Sequence, residues 1–317
     1  MRNRKIGQVS VGAIGLGGMP MSIEGRPDED RSIRTIHAAL DAGVTLIDTA
    51  DAYHLHAGET GHNERLIAEA LASYGGDVSS VLVATKGGHL RPGDGTWTVD
   101  GSPAHLRQAV EASLKALGVD VIGLYQFHRP DPRVPYAESI GALKELHDAG
   151  KVRLTGISNA TVEQIDLARS ILGPENLASV QNQFSPSFRS SEGELEHCAR
   201  LGIAFLPWSP FGGSSRAGSL GARHPAFQAV ADAHGVSPQQ VTLAWMLAKA
   251  PVVIPIPGAS RPESITDSAR AAELELSAEE LVRLDQARAS WRAGVAGLPA
   301  RLRRAARPGR PSAQRRS

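Results

Sequence analysis

An α/β chain folded as a (β/α)8 TIM barrel is predicted by three observations. Short β-branched apolar runs alternate throughout with longer segments of helical period. Eight such strand-helix units can be counted. The turns from each helix to the next strand are short, which suits a closed ring of parallel strands better than an open doubly wound sheet.

The elements follow in order. After a short strand pair around 8–13, barrel strands are expected over 14–16, 45–48, 81–86, 122–128, 153–158, 179–181, 204–208 and 252–254. Helices are expected over 30–42, 63–73, 103–117, 136–149, 161–172, 192–201 and 238–250. Gly43, Gly118, Gly150 and Gly202 follow apolar-periodic segments as C-terminal stops, while Ser102-Pro103 and Ser237-Pro238 read as an N-cap and the first helical residue. The start GAIGLGGMP looks like the phosphate loop of an open dinucleotide-binding sheet. Pro20, however, stands three residues after Gly17 where Gly or Ala is needed, and no helix begins there, so that fingerprint is discounted.

At 317 residues, 41% hydrophobic and 21% charged, the chain can bury the core of one large domain, expected over 1–290. The first dozen residues lack the apolar stretch of a signal peptide, and no run approaches the ~18 apolar residues that span a bilayer. A soluble cytoplasmic protein without membrane contact is expected. The lone Cys198 cannot form an intramolecular disulfide and reads as a packed small hydrophobe within GELEHCARLG. Nine arginines and no acids fall in 286–317, so setting them aside turns the overall +1 into −8 for residues 1–285. The end, 291–317, reads as a basic, disordered, solvated tail in preference to a nucleic-acid contact.

Chemistry concentrates at strand ends. Asp48 and Tyr53 close GVTLIDTADAY, Lys86 closes VLVATK, and His128 follows IGLYQF. In a barrel such positions converge on one face, so the four can be neighbours. An unperturbed phenol titrates near ~10 and is a poor acid at neutral pH. Lys86 beside Tyr53 is expected to lower that value, Asp48 to hold Lys86 charged, and His128 to orient a carbonyl oxygen toward the phenol. Taken singly each residue is more often structural, so the set carries the expectation. His54, His56 and His62, with Glu59 and Glu64 nearby, lack a helical ligand pair and are read as loop residues rather than a metal site.

The order and spacing of GVTLIDTADAY, ATKGG, QFHRPD, GISN, VQNQFSP, LPWSPFGG and IPIPGASRPES over about residues 8–290 resemble the aldo-keto reductases, NAD(P)H-dependent oxidoreductases on this barrel. The resemblance implies that Ser158, Asn159 and Gln181 bond the nicotinamide carboxamide. It implies that Trp208 stacks on the ring where many relatives have Tyr, with Ser209, Pro210 and Gly212 of the following loop beside it. Gly258, Ser260 and Arg261 follow the last strand, where such barrels commonly bind phosphate, and Ser260 and Arg261 are the candidates for an adenosine 2′-phosphate. Glu263 and Asp267 are placed near the adenosine. Ser268 replaces the Asn that usually faces adenine, so NADPH/NADP is the expected cofactor with NADH left open.

The partner implied is a small-molecule carbonyl substrate. Its choice is expected to come from loops 87–101, with Trp97, the stretch after His128, and 211–225. Arg91, Asp94, Arg129, Asp131 and Arg216 in these loops favour a polar carbonyl compound. NADPH-dependent reduction of an aldehyde or ketone leads, beside alcohol oxidation and, from a different class, a cofactor-bound regulatory subunit.

Overall fold

The computed structural model describes residues 1–296. Its chain begins with an antiparallel hairpin of β1 (Asn3–Ile6) and β2 (Val9–Gly12), so the expected strand pair starts earlier than 8–13. Seven parallel strands follow: β3 (Leu16–Gly17), β4 (Leu46–Asp48), β5 (Leu82–Gly87), β8 (Ile122–Phe127), β9 (Val152–Ser158), β10 (Leu177–Gln181) and β11 (Ala204–Phe205), each bonded to the next. A small hairpin, β6 (His89–Leu90) with β7 (Thr98–Val99), stands between β5 and β8.

The eighth position is filled without a regular strand, because Pro251, Pro255 and Pro257 have no N–H to donate. Their neighbours close the ring instead. Phe205 donates its N–H to the Val252 carbonyl and accepts from Ile254, both at 2.9 Å, while Gly15 and Gly17 donate to the carbonyls of Pro255 and Pro257 at 2.9 Å. The result is the (β/α)8 barrel that the alternating pattern predicts.

Helices α1 (Glu29–Asp41), α2 (His62–Ser73), α3 (Pro103–Leu117), α4 (Tyr136–Asp148), α5 (Val162–Leu172) and α6 (Glu192–Leu201) wrap the strands, followed by α7 (Leu220–Arg223), α8 (Pro225–His234), α9 (Pro238–Lys249), α10 (Pro262–Arg270) and α11 (Ala278–Ala296). Punctuation read from the sequence is met: Ser102 and Ser237 accept from the N–H of His105 and Gln240, and Gly118 and Gly202 end α3 and α6 in the left-handed region. The helices α7, α8, α10 and α11 lie outside the seven expected. The expected basic tail overlaps the end of α11, and its remainder, 297–317, lies outside the described residues.

Strand alternation sorts the core. Leu46, Leu82, Ala84 and Leu124 point into the barrel and meet Ile6 and Val11 of the hairpin, which plugs the end where strands begin. Tyr125 and Phe127 point outward and join the helices in the largest apolar cluster, with Cys198 fully buried there and its thiol pushed up to about 12 by burial. With the entry end plugged, polar groups collect where strands finish. Among the described residues no helix is long and apolar enough to cross a membrane.

Candidate active site

Parallel register does the assembling. Asp48 ends β4 opposite Ala84, Lys86 lies two residues further along β5 opposite Gln126, and His128 follows β8 with its N–H on the Gly87 carbonyl at 2.9 Å. Tyr53 is carried in by the turn after Asp48, which is held to β5 by Thr49 N–H on Ala84 (2.8 Å) and Asp51 N–H on Lys86 (3.2 Å). All four side chains are buried, Lys86 completely.

An ammonium has three hydrogens, and each of those on Lys86 has an acceptor: Asp48 Oδ2 at 2.7 Å, the Thr49 carbonyl at 2.7 Å and the Tyr53 hydroxyl at 3.1 Å. Because Lys86 can only donate, the Tyr53 oxygen must accept, which leaves the phenol's own hydrogen free for the cleft. Asp48 is held from its other side by Gln181 Nε2 at 2.7 Å and Gln126 Nε2 at 3.4 Å. Tyr53 and His128 meet edge to face, 5.8 Å between ring centres.

Burial works against the Lys86 ammonium, but Asp48 and Tyr53 together outweigh it and its pKa is raised. The Tyr53 phenol is also raised, and here the structure departs from expectation. Burial is the largest effect, Lys86 opposes it, and Asp48 and Asp51 add to it. The phenol therefore keeps its proton through neutral pH. Burial, then the Lys86 charge, hold His128 well below the ordinary imidazole range. His89 is pushed down to about 4, by burial first and Arg129 second. Both imidazoles are neutral near pH 7.

A cleft of about 550 Å³ runs from this cluster to the loop after the last strand. Asp48, Tyr53, His128, Ser158, Asn159, Gln181, Trp208, Ser209, Pro210, Gly258, Ser260 and Arg261 all line it, as their sequence contexts lead one to expect. Asn159 (φ 58°) and Ser209 (φ 51°) are the non-glycine residues in the left-handed region among those described, and both sit on this wall. Such strain persists where surrounding structure enforces it, commonly at functional sites. Ser158 donates to the Gln181 carbonyl at 2.7 Å, and Asn159 Nδ2 to the His128 carbonyl at 3.0 Å. The amide nitrogen of Gln181 is spent on Asp48, so its oxygen is the atom left for a ligand.

Four expected cofactor residues are not on the wall. Gly212 is off the wall although its neighbour Gly213 lines it, Glu263 is exposed on α10, and Ser268 is on the buried side of that helix. Asp267 is turned toward α9, accepting from Ser237 Oγ and Gln240 Nε2 at 2.6 Å each. Conversely, Gln126 and His89 belong to the site and were not singled out. Gln126 was hidden inside an apolar run. His89 follows Gly87-Gly88 and stacks on Trp97 at 4.6 Å between ring centres, a contact that only the β6–β7 hairpin creates. His54 spends Nδ1 on the His56 carbonyl and His62 on Ser22 Oγ, each at 2.9 Å.

The wall fits a dinucleotide. Trp208 offers an indole face, with its Nε1 sealed from solvent and without a partner among the described residues. Gly258 lies tight under the Pro20 ring, since a Cβ there would come within 2.8 Å of its Cγ, so the backbone itself forms the wall at this point. At the far end Arg261 caps the start of α10 and steadies its guanidinium on Ser264 Oγ at 2.8 Å.

Barrel, strand-end cluster and cleft, together with the relatives, define the class: an NAD(P)H-dependent oxidoreductase acting between carbonyl and alcohol. A model of the aldo/keto reductase family matches residues 13–289, and the chain belongs to that family. It is 35% identical over 279 residues to a 6-dehydroglucose reductase of Novosphingobium aromaticivorans, covering 86% of this chain and 90% of that protein. It is 33% identical over 290 residues to pyridoxine 4-dehydrogenase of Escherichia coli, covering 88% and 96%. Among solved structures, a glycerol dehydrogenase from Gluconobacter oxydans superposes with a TM-score of 0.77 at 29% identity, covering 91% of this chain and 95% of that one. An aldo/keto reductase from Klebsiella pneumoniae in complex with NADP and acetate superposes at 0.73 and 27%, covering 90% and 94%.

Proposed function

We propose that the chain is a cytoplasmic, NADPH-dependent reductase of small polar aldehydes or ketones in which Tyr53 supplies the proton. The observation that carries this is the clasp of Lys86 on Asp48, Thr49 and Tyr53, which leaves the phenol hydrogen facing the cleft. When bound, a reduced nicotinamide supplies hydride to the carbonyl carbon. The chain's residues do the rest. His128, neutral, donates its N–H to the carbonyl oxygen and fixes it beside Tyr53. The phenol hydrogen passes to that oxygen as negative charge develops on it, and the phenolate left behind rests against the Lys86 ammonium. Asp48 keeps Lys86 charged and in place.

Trp208 would stack on the nicotinamide while Ser158, Asn159 and the Gln181 oxygen hold its carboxamide. Ser260 and Arg261 would take the 2′-phosphate, a guanidinium being suited to phosphate oxygens. The raised phenol pKa supports reduction over oxidation near neutral pH, because the oxidative direction needs Tyr53 as a base. Relatives named for a dehydroglucose and for pyridoxine support a polar substrate.

A panel of aldehydes and ketones, followed by NADPH absorbance with NADH in parallel, tests the reading. Tyr53→Phe is expected to lower kcat/KM at least about 100-fold with the NADPH affinity kept. Full turnover by that variant would remove the proton role, and equal KM values for NADPH and NADH would remove the 2′-phosphate site.

A further inference from the structure

The substrate end of the cleft carries one charge with nothing set against it. The acids on the wall are both answered: Glu24 pairs with Arg91 and Asp48 with Lys86. Nearby, Asp131 pairs with Arg133 at 2.9 Å. Asp94 is bound to Thr96. Arg129, the residue after His128, lines the same cleft half-buried. Its Nε is sealed from solvent, and its side chain makes no hydrogen bond or ion pair among the described residues. Burial lowers the pKa of Arg129 against the opposing pull of Tyr53. Its charge adds to burial in lowering His89, and it adds to burial, Lys86 and His89 in lowering His128.

A half-buried guanidinium with one N–H sealed and unpartnered is left partly unsatisfied, and its planar fork of donors suits paired oxygens of an anion. Solvation of an ordinary surface arginine does not account for a sealed Nε. Arg91, whose Nε is also sealed, has both terminal nitrogens committed, one to the His54 carbonyl and one to Glu24, which answers its charge.

We propose that the carbonyl substrate carries an anionic group, carboxylate or phosphate ester, which Arg129 binds while the oxo group meets Tyr53 and His128. This rests on the reading of Tyr53 and His128 given above, and it adds a specificity-determining residue and a substrate class to it. The anion stays outside the bond changes: only the carbonyl carbon and oxygen gain hydride and proton.

The test compares substrates matched except for charge. Succinic and adipic semialdehydes are set beside their methyl esters, and glyceraldehyde 3-phosphate beside glyceraldehyde, with wild type, Arg129→Gln and Arg129→Lys. A hydrogen bond to a charged group is worth about 1.5–3 kcal/mol, or roughly 10–150-fold. In wild type the ratio of kcat/KM, anionic over neutral, is therefore expected near 100 for at least one pair. It should collapse to within about threefold in Arg129→Gln and be partly kept in Arg129→Lys. Preference among the semialdehydes assigns a carboxylate, and preference for glyceraldehyde 3-phosphate assigns a phosphate.

A binding readout runs beside it: succinate or inorganic phosphate should perturb tryptophan fluorescence through Trp97, and Arg129→Gln should abolish the effect. Ratios near one in wild type for every pair, or a ratio that Arg129→Gln leaves in place, overturn the proposal while carbonyl reduction stands. Absence of turnover with all the carbonyl compounds, neutral ones included, would instead strike the functional reading beneath it.

Discussion

Two buried polar clusters lie back to back across β4, β5 and β8, and they meet the cost of burial in opposite ways. Inside the barrel, Asp48, Lys86, Tyr53, Gln126 and Gln181 are joined donor to acceptor, and the Lys86 ammonium is held charged. Outside it, between the strands and α2 and α3, lie Asp51, Glu64, Thr85 and Tyr125. Their membership follows from the pleat: Thr85 and Tyr125 alternate with Lys86 and Gln126 and so face the helices.

Among the described residues no cation is paired with Asp51 or Glu64. Glu64 accepts from Thr85 Oγ1 at 2.5 Å, while Asp51 Oδ1 and the Tyr125 hydroxyl have no partner among the described residues. Burial, then the like charge of Glu64, raise Asp51 well above the ordinary carboxyl range. Burial raises Glu64 against the pull of Thr85. One cluster answers burial by pairing ions and retains charge for chemistry; the other answers it by holding protons. The backbone of the turn joins them, since Asp51 N–H donates to the Lys86 carbonyl.

The largest effect should come from breaking the inner pairing. Lys86→Met strands Asp48 in the core, and a loss of about 3–5 kcal/mol in stability is expected, with kcat/KM down more than about 100-fold. The double variant Lys86→Met/Asp48→Leu should recover much of the stability in denaturant unfolding and none of the turnover. If Lys86→Met unfolded like wild type, the inner cluster would not be a compensated ion pair.

A smaller effect sharpens the outer side. Unfolded Asp and Glu titrate near ~3.9 and ~4.3, and both Asp51 and Glu64 hold their protons to higher pH when folded. Across that window the native state binds more protons than the unfolded one, so this contribution to stability falls as pH rises. Glu64→Gln keeps an oxygen for Thr85 and removes the titration. It should therefore gain on the order of 1 kcal/mol over wild type at pH 8, with the gain vanishing toward pH 4, and turnover kept. A gain that grows toward acid would reverse the assignment.

The smallest concerns an orphan. Tyr125→Phe deletes a buried hydroxyl without a partner, so stability should stay level or rise by up to about 1 kcal/mol. A loss of 2 kcal/mol or more in the same unfolding measurement would show that the hydroxyl is bonded.

Legibility in the sequence follows the same division. Asp48, Tyr53, Lys86 and His128 were readable because each stands at a strand end, and a parallel barrel delivers strand ends to one face. The outer cluster was not, since Glu64 looked like one acid among loop histidines and reaches Thr85 only when α2 packs on β5. Seven helices and the strand order were legible from period and caps. The eighth strand was expected as a ladder and is instead a proline-broken seam, because closure needs only carbonyls on that side to accept from Gly15 and Gly17.

By itself the sequence determined the barrel and the placing of Asp48, Tyr53, Lys86 and His128 at strand ends, which depend on local periodicity and spacing. The run of cleft residues from Ser158 to Arg261 was implied by the resemblance to the aldo-keto reductases. Tertiary structure alone decided that Tyr53 is raised rather than lowered, that Asp267 turns away to Ser237 and Gln240, and that Arg129 stands without a counter-ion. Desolvation and charge pairing are sums over neighbours brought from distant strands, and no stretch of sequence contains those sums.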